Sequence, residues 1–248
     1  MPTPYAYFQG NIVPLSEAKI GVMTHAFNYG TAVFEGIRGN WNPDDQTTYL
    51  FRLREHFERL GQSSKILTLE MRETVDSLCE IAVELVERSG FSEDVYLRPV
   101  VYLSSEQLGV LLHNLESSTL IFLVSFPAYL PEVARCQTST WRRVQDTGIP
   151  PRAKVTGIYV NSALAKSEAN ANGFDEAIML NENGHVSEGS GENIFIVRDG
   201  KLITPTPADN VLEGITAKSI IELATKNLGV ELVQREIDRT ELYIADEG

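Results

Sequence analysis

Two apolar runs in the first half of the chain, "VYLRPVVYL" (Val95–Leu103) and "TLIFLVSF" (residues 119–126), place the first constraint on its fold. Each is a short stretch dominated by β-branched, aromatic and aliphatic residues. Such a stretch reads as a buried strand. Directly after the second run comes "PAYLPE", whose two prolines interrupt any regular element. This pattern predicts an N-terminal α/β domain over residues 1–126, a linker over 127–133 and a C-terminal domain over 134–248.

The flanking segments fill in the two halves. "YAYFQGNIVPL" reads as a hairpin turning at Gly10–Asn11. Leu53, Phe57 and Leu60 recur at helical spacing, as do Met71, Val75, Leu78, Ala82 and Val86, with Gly90 as a stop. In the second half, "CQTSTWRRV" is a strand candidate and a helix is expected over residues 161–172. Hairpins turn at Asn183–Gly184 and Asp199–Gly200. A further helix over residues 216–228 ends before Gly229, and "VELVQREI" closes as a strand. No internal repeat or low-complexity tract interrupts this order. The fold class is therefore α/β in the mixed α+β sense, with two domains.

Composition narrows the partners. Lys and Arg number 21 against 34 Asp and Glu, a net charge of -13. An acidic surface repels phosphate backbones, so no nucleic-acid partner is expected. No apolar run approaches the roughly 18 residues of a membrane span. The two cysteines, Cys79 and Cys136, lack metal-ligand spacing, and a reduced, cytoplasmic protein is expected. The N-terminal residues show no basic segment followed by a long apolar run, so no secretory signal is expected. His25, His56, His113 and His185 are scattered, and no metal site is expected.

The chemistry concentrates around "PPRAKVTGIYVNSALAKSEANANG" (residues 150–173), which holds two lysines. Lys166 has Ser167, Glu168 and Asn170 close by and reads as an ordinary solvated charge. Lys154 stands between Ala153 and Val155, before an apolar helix entry. A lysine in such surroundings loses hydration, which favours the neutral amine, a nucleophile able to form a Schiff base. Local context alone leaves the solvated reading ahead for both. The wider set changes the balance. Tyr159 follows Lys154, and Glu188 lies in "VSEGSGENIFIV", where Gly189 and Gly191 permit close backbone approach. "VLEGITAKSI" puts Gly214, Ile215 and Thr216 at a helix start, a ready phosphate site. Arg59 in "REHFERL" adds a cation. An amine, a carboxylate, a phenol, a helix N-terminus and an arginine together match what pyridoxal phosphate requires.

The chain closely resembles the fold-type IV pyridoxal-phosphate aminotransferases, the D-amino acid aminotransferase-like fold, and within them the branched-chain amino acid aminotransferases. The matching stretches are "HAFNYGTAVFEGIR" (residues 25–38), "REHFERL" (54–60), "YLRPVV" (96–101), "AKVTGIYVNSALAKSEANANGFDEAIML" (153–180), "VSEGSGENIF" (186–195) and "LEGIT" (212–216). By position, the resemblance makes Lys154 the Schiff-base lysine and proton shuttle. It makes Glu188 the carboxylate facing the pyridine nitrogen and Tyr159 the phenol bonded to the ring hydroxyl oxygen. Leu212 packs on the ring. Gly214, Ile215 and Thr216 form the phosphate-binding turn, and Arg59 adds charge-assisted bonds to the same phosphate.

For substrate, the resemblance implies a pocket of Tyr29, Phe34, Gly36, Tyr96, Arg98 and Tyr129. It must take a leucine, isoleucine or valine side chain in one half-reaction and glutamate or 2-oxoglutarate in the other. The rings suit the first, and an arginine beside a tyrosine hydroxyl suits the second. Each residue also has a plain reading: Arg59 as a solvated helix cation, Glu188 as a hairpin residue, Leu212, Phe34 and Tyr96 as core. The resemblance further implies a homodimer or higher homo-oligomer, with "SSEQLGVLLHN" (residues 104–114) as the interface loop. Two departures stand out. The linker "FPAYLPE" is short and lacks the family's tryptophan. Relatives also continue past the position of Gly248 with a Gly-Thr-Ala type turn, so the last part of the second domain is expected to be absent here. Alternatives in the same fold are a D-amino acid aminotransferase and an aminodeoxychorismate lyase, and a further one is an inactive truncated remnant.

Overall fold

The computed structural model describes residues 3–126 and 131–248. Residues 127–130 of the expected linker, Tyr129 among them, lie outside the described residues. Cα proximity divides the chain into two units, Met1–Ala128 with Ala153–Gly157, and Tyr129–Arg152 with Ile158–Gly248. The five-residue segment that carries Lys154 thus groups with the first unit and not with its chain neighbours.

In the first unit seven strands among the described residues form one sheet: β1 (Tyr5–Phe8), β2 (Asn11–Pro14), β3 (Ala32–Phe34), β4 (Ile37–Asn42), β5 (Thr47–Leu50), β6 (Val95–Leu103) and β7 (Ser117–Ser125). The order is β2-β1-β7-β6-β4-β5, with β3 also paired to β6. β6 and β7 pair antiparallel from Val95 opposite Ser125 to Leu103 opposite Ser117. The first hairpin is as expected, but its turn is Gln9–Gly10, because Phe8 faces Asn11. Both turn residues take positive φ, at 50° and 81°, the pair of left-handed conformations that matches strand twist.

The two apolar runs are strands, yet they alternate. Val95, Leu97, Val101, Ile121 and Leu123 are buried, while Tyr96, Arg98, Leu120, Phe122 and Val124 are half-buried. Helices α2 (Leu53–Ile66) and α3 (Val75–Ser89) cover the buried face. Phe57, Leu60, Leu78, Leu85, Leu97 and Leu123 form its fully buried core, each side chain contributing about 1.5–3 kcal/mol. α3 begins later than the apolar spacing from Met71 predicts. Thr74 caps it, accepting the Ser77 N–H at 3.1 Å, and Gly90 ends it in the left-handed conformation. A short helix α1 (His25–Tyr29) precedes β3.

The second unit holds two three-stranded sheets among its described residues. In the first, β8 (Cys136–Thr138) pairs parallel with β9 (Glu176–Leu180), which pairs antiparallel with β10 (Val186–Gly189). α4 (Tyr159–Ala171) links β8 to β9 and lays Ala165 and Ala169 on Ala177 and Met179, small residues that let helix and strand approach closely. β8 is shorter than "CQTSTWRRV" suggests, because Ser139 and Thr140 turn their groups to Glu168 on α4. In the second sheet, β11 (Ile196–Arg198) and β12 (Lys201–Thr204) form a hairpin around Asp199–Gly200, and β13 (Leu232–Gln234) joins in parallel. α5 (Ile215–Glu222) continues into a wider turn over Leu223–Asn227, so the expected helix over 216–228 is present but changes pitch midway. Among the described residues no helix is long and apolar enough to cross a membrane.

Candidate active site

In the first unit, the buried stripe of α2 is unusually polar for a core-facing surface. His56, Arg59 and Ser63 share it with Phe57 and Leu60. A buried charge needs a partner, and here that partner is Glu35, which is fully buried between β3 and β4. Arg59 donates Nε to Glu35 Oε1 and Nη2 to Oε2, both at 2.7 Å. His56 Nδ1 lies 2.7 Å from the same Oε2. Burial would raise the Glu35 carboxyl, but the bonds from Arg59 and His56 more than offset this and hold it below the ordinary carboxylate range. Arg59 is therefore 7% exposed and built into a charged cluster, and Glu35 orients its guanidinium. Nothing in "FEGIR" read alone reveals that role.

Ser63, one turn further along α2, accepts the Lys154 backbone N–H at 3.2 Å. The Lys154 carbonyl accepts from the Phe34 N–H at 3.0 Å, and Val155 bridges to Val33. Thr156 Oγ1 donates to the Gly30 carbonyl at 2.8 Å. The segment thus lies against β3 like a short added strand. Lys154 is half-buried with Nζ 5.0 Å from the Phe34 ring centroid. Arg98 stacks over the same ring at 4.4 Å. Its Nη2 also donates to the Tyr96 hydroxyl at 2.9 Å. A Cβ on Gly36 would come within 2.2 Å of that hydroxyl, so only glycine leaves the tyrosine its place. Phe34, Gly36, Tyr96, Arg98 and Lys154 are therefore brought together on one side of this sheet. Tyr29 serves a different contact: its hydroxyl accepts the Gly109 N–H at 3.1 Å.

In the second unit the register of β9 and β10 shifts between Val186 and Gly189. Such a bulge re-aims a side chain, and the residue at this one is Glu188, which is 5% exposed. Its Oε2 accepts the Leu212 N–H at 3.0 Å and Asn193 Nδ2 at 3.0 Å. Arg143 Nη2 stands 2.7 Å from Oε1. Asn193 Nδ2 also reaches the Leu212 carbonyl at 2.9 Å. Glu188 and Leu212 are thus neighbours through the Leu212 backbone. Gly214 caps α5 without a side-chain bond, and the first backbone bond of the helix runs from Lys218 N–H to the Gly214 carbonyl at 3.0 Å. The N–H groups of Ile215 and Thr216 have no acceptor within the helix, the arrangement that receives an anion. Tyr159 is the half-buried first residue of α4.

Lys166 departs from the solvated reading. Its Nζ donates to the Asp175 carbonyl at 2.6 Å and pairs with Glu176, which is 6% exposed. Burial would raise the Glu176 carboxyl, but Lys166 and backbone donors hold it below the ordinary range. Lys166 is a structural cation. Arg143, Asn193 and Glu35 escaped sequence reading, and only the pairing of Glu188 with "GEN" hinted at Asn193.

Residues 32–248 match the family model described as amino-transferase class IV. A probable branched-chain-amino-acid aminotransferase of Aquifex aeolicus (strain VF5) is 48% identical over 245 residues, covering 98% of this chain and 79% of that protein. The crystal structure of a branched-chain aminotransferase from Thermoproteus uzoniensis with norvaline superposes with a TM-score of 0.94 at 47% identity, covering 98% of this chain and 81% of that one. The branched-chain amino acid aminotransferase of Thermobaculum terrenum in its PLP form (holo form) superposes with a TM-score of 0.93 at 37% identity, covering 99% and 81%.

Proposed function

The chain belongs to the class IV aminotransferase family, and on that premise we propose that it is a branched-chain-amino-acid aminotransferase that moves the amino group of L-leucine, L-isoleucine or L-valine to 2-oxoglutarate, giving branched 2-oxo acids and L-glutamate. The observation that carries this reading is the match to branched-chain aminotransferases along nearly the whole chain, with Lys154 held beside Phe34, Tyr96 and Arg98.

The residues fit pyridoxal phosphate. α5 would offer a phosphate the N–H groups of Ile215 and Thr216, which have no acceptor within the helix, and Glu188 would offer an oriented carboxylate to a ring nitrogen. Leu212 is tied by its backbone to Glu188 and would pack on the ring. Tyr159 would hydrogen-bond the ring hydroxyl oxygen. Lys154 would supply the amine that bonds the cofactor, and Arg59, oriented by Glu35, would add charge at the phosphate. When bound, the cofactor supplies a carbonyl that accepts an amino group and a ring that withdraws electrons from the substrate Cα.

Lys154 Nζ takes the proton from Cα of the incoming amino acid and returns one to Cα of the incoming 2-oxo acid. With the cofactor bound, the Glu188 carboxylate would hold a proton on the ring nitrogen. Phe34 and Tyr96 present apolar surface to a branched side chain and shed water from it. Arg98, braced on the Tyr96 hydroxyl, holds the side-chain carboxylate of glutamate in the other half-reaction. Tyr29 and Tyr129 complete the substrate set, Tyr29 by fixing the loop at Gly109.

That loop also supports a homodimer. Leu108, Val110 and Leu111 are exposed, as are Val22, Met23 and Phe27 beside it. An apolar surface of this kind calls for a partner, and a second copy of the chain is the partner proposed. A cytoplasmic location belongs to the same reading.

The test is a coupled assay of L-leucine with 2-oxoglutarate on the enzyme loaded with pyridoxal phosphate. L-glutamate formation is expected, and it is lost in Lys154→Ala together with the visible absorbance of the bound cofactor. Transamination of D-alanine in preference to L-leucine would overturn the substrate assignment.

A further inference from the structure

Arg143 has no assigned task in the reaction, yet it is 6% exposed and faces Glu188 at 2.7 Å. Its backbone N–H donates to the Leu180 carbonyl at 2.9 Å, which anchors it at the end of β9. From there its guanidinium reaches three elements. Nη2 meets Glu188 on β10. Nη1 donates to Ser162 Oγ on α4 at 3.3 Å. Nε donates to the carbonyl of Asn210 at 3.4 Å, in the loop that leads to Leu212 and α5. Asn210 itself holds a left-handed conformation with φ 62°, and its side chain is tied to Glu182. Only a planar fork with several fixed donors spans such a set, and a lysine cannot.

We infer that Arg143 is a positioning residue that acts through Glu188, fixing the plane of its carboxylate and keeping it ionised so that the proton stays on the cofactor's ring nitrogen. The inference rests on the proposed placement of Glu188 opposite that nitrogen. The chemistry follows from the bonds. Oε1 accepts from Arg143, while Oε2 accepts from Leu212 and Asn193. Protonating either oxygen would turn an acceptor into a donor aimed at another donor. A carboxylate arranged this way is a firm anion, with Arg143 as its counter-charge in a buried place where an unpaired charge is costly. Without Arg143 the shared proton is free to settle on Glu188, which leaves the ring nitrogen neutral and a poor electron sink.

The experiment compares the holoenzyme with Arg143→Gln, Arg143→Lys and Glu188→Gln, each reconstituted with pyridoxal phosphate labelled with ¹⁵N in the ring. The readouts are the ring-nitrogen chemical shift and the steady-state constants for L-leucine. In the parent the shift is that of a protonated ring. In Arg143→Gln it moves toward the neutral value and kcat falls about 10–100-fold, the fold-change of one lost charge-assisted hydrogen bond, with little change in KM. Arg143→Lys restores charge without the fork, and both readouts lie between those of the parent and Arg143→Gln. A parent-like shift and parent-like kcat in Arg143→Gln, with folding verified by circular dichroism, overturns the inference. Where Arg143→Gln does not fold, the same outcome in Arg143→Lys overturns it. If Glu188→Gln also keeps the parent shift, the placement of Glu188 itself has failed; if only the arginine variants keep it, Arg143 alone has.

Discussion

The backbone N–H of Lys154 donates to Ser63 Oγ at 3.2 Å, joining the lysine to the buried face of α2. Ser63 is fully buried, so Ser63→Ala leaves that N–H without this acceptor, a loss of about 1–2 kcal/mol of stability. Because the lysine backbone is held by Ser63 and Phe34 together, kcat is also expected to fall by about a few-fold, the fold-change of a hydrogen bond worth about 1 kcal/mol. Urea unfolding and steady-state turnover measure the two effects. Full stability loss with parent-like kcat would mean that Ser63 supports the fold and not the lysine.

Lys166→Ala separates structure from chemistry. The substitution strips Glu176 of its ammonium partner while the Ala177 and Ser190 N–H groups remain on the carboxylate. The Lys166 side chain is about one third exposed, and water replaces part of what is lost, so the expected cost is about 1–2 kcal/mol. Turnover per folded molecule is expected to stay near that of the parent. A loss of turnover equal to that of Lys154→Ala would remove the distinction between the two lysines.

Which features were legible in the chain depends on the length scale of the signal. Val95–Leu103 is legible because seven of its nine residues are Val, Tyr or Leu, whereas β3, β4 and β5 carry no such signal. "AVF" is too short, and "IRGNWN" mixes Arg, Gly and Asn into a strand that alternates only when paired. The turns at Asn183–Gly184 and Asp199–Gly200 are legible because a glycine supplies the positive φ each needs, 91° at Gly184 and 72° at Gly200. Lys154, Glu188 and the start of α5 were legible through motif order. Their partners were not. Arg142 and Arg143 stand side by side, and nothing local says which one turns inward to Glu188. Glu35 meets Arg59 only because β3 and α2 pack together. Such pairings belong to the tertiary structure, and adjacent residues carry no trace of them.

Acid stability is expected to depend on Glu241. Arg235 donates to both of its carboxylate oxygens, at 2.8 and 2.5 Å, and Arg198 adds a bond at 3.0 Å. The Arg235 bonds, opposed by burial and helped by Arg198, push this carboxyl down to about 2 from 4.5. The folded state therefore binds this proton less readily than the unfolded chain. The stabilisation is present in full above pH 4.5 and is lost as pH falls toward 2. Both arginines are more than one third exposed, which reduces the effect to about 1–2 kcal/mol. Urea unfolding of the parent at neutral pH and at about pH 3 gives the total loss. In Glu241→Gln that loss should shrink by this amount, and an unchanged pH dependence would assign it to other carboxylates such as Glu35 and Glu176.

Gly214→Ala tests how closely the phosphate turn and the Glu188 cluster are coupled. Gly214 has φ -67°, a conformation alanine adopts freely, so any effect comes from the added methyl group. That methyl would lie 2.0 Å from Asn193 Oδ1 and 3.3 Å from the Ala217 Cβ. Asn193 cannot simply swing aside, because its amide bonds both Glu188 and the Leu212 carbonyl. The substitution must displace Asn193, α5 or both. Loss of one hydrogen bond to a charged group costs about 1.5–3 kcal/mol, which corresponds to cofactor binding weakened by about 10–100-fold. Gly191→Ala is the matched control: a methyl there meets nothing within 4 Å, and binding should be unchanged. Titration of the apoenzyme with pyridoxal phosphate, followed by absorbance, measures both variants. Equal affinities for Gly214→Ala and Gly191→Ala would show that Asn193 yields without loss and that the turn and the carboxylate cluster are independent.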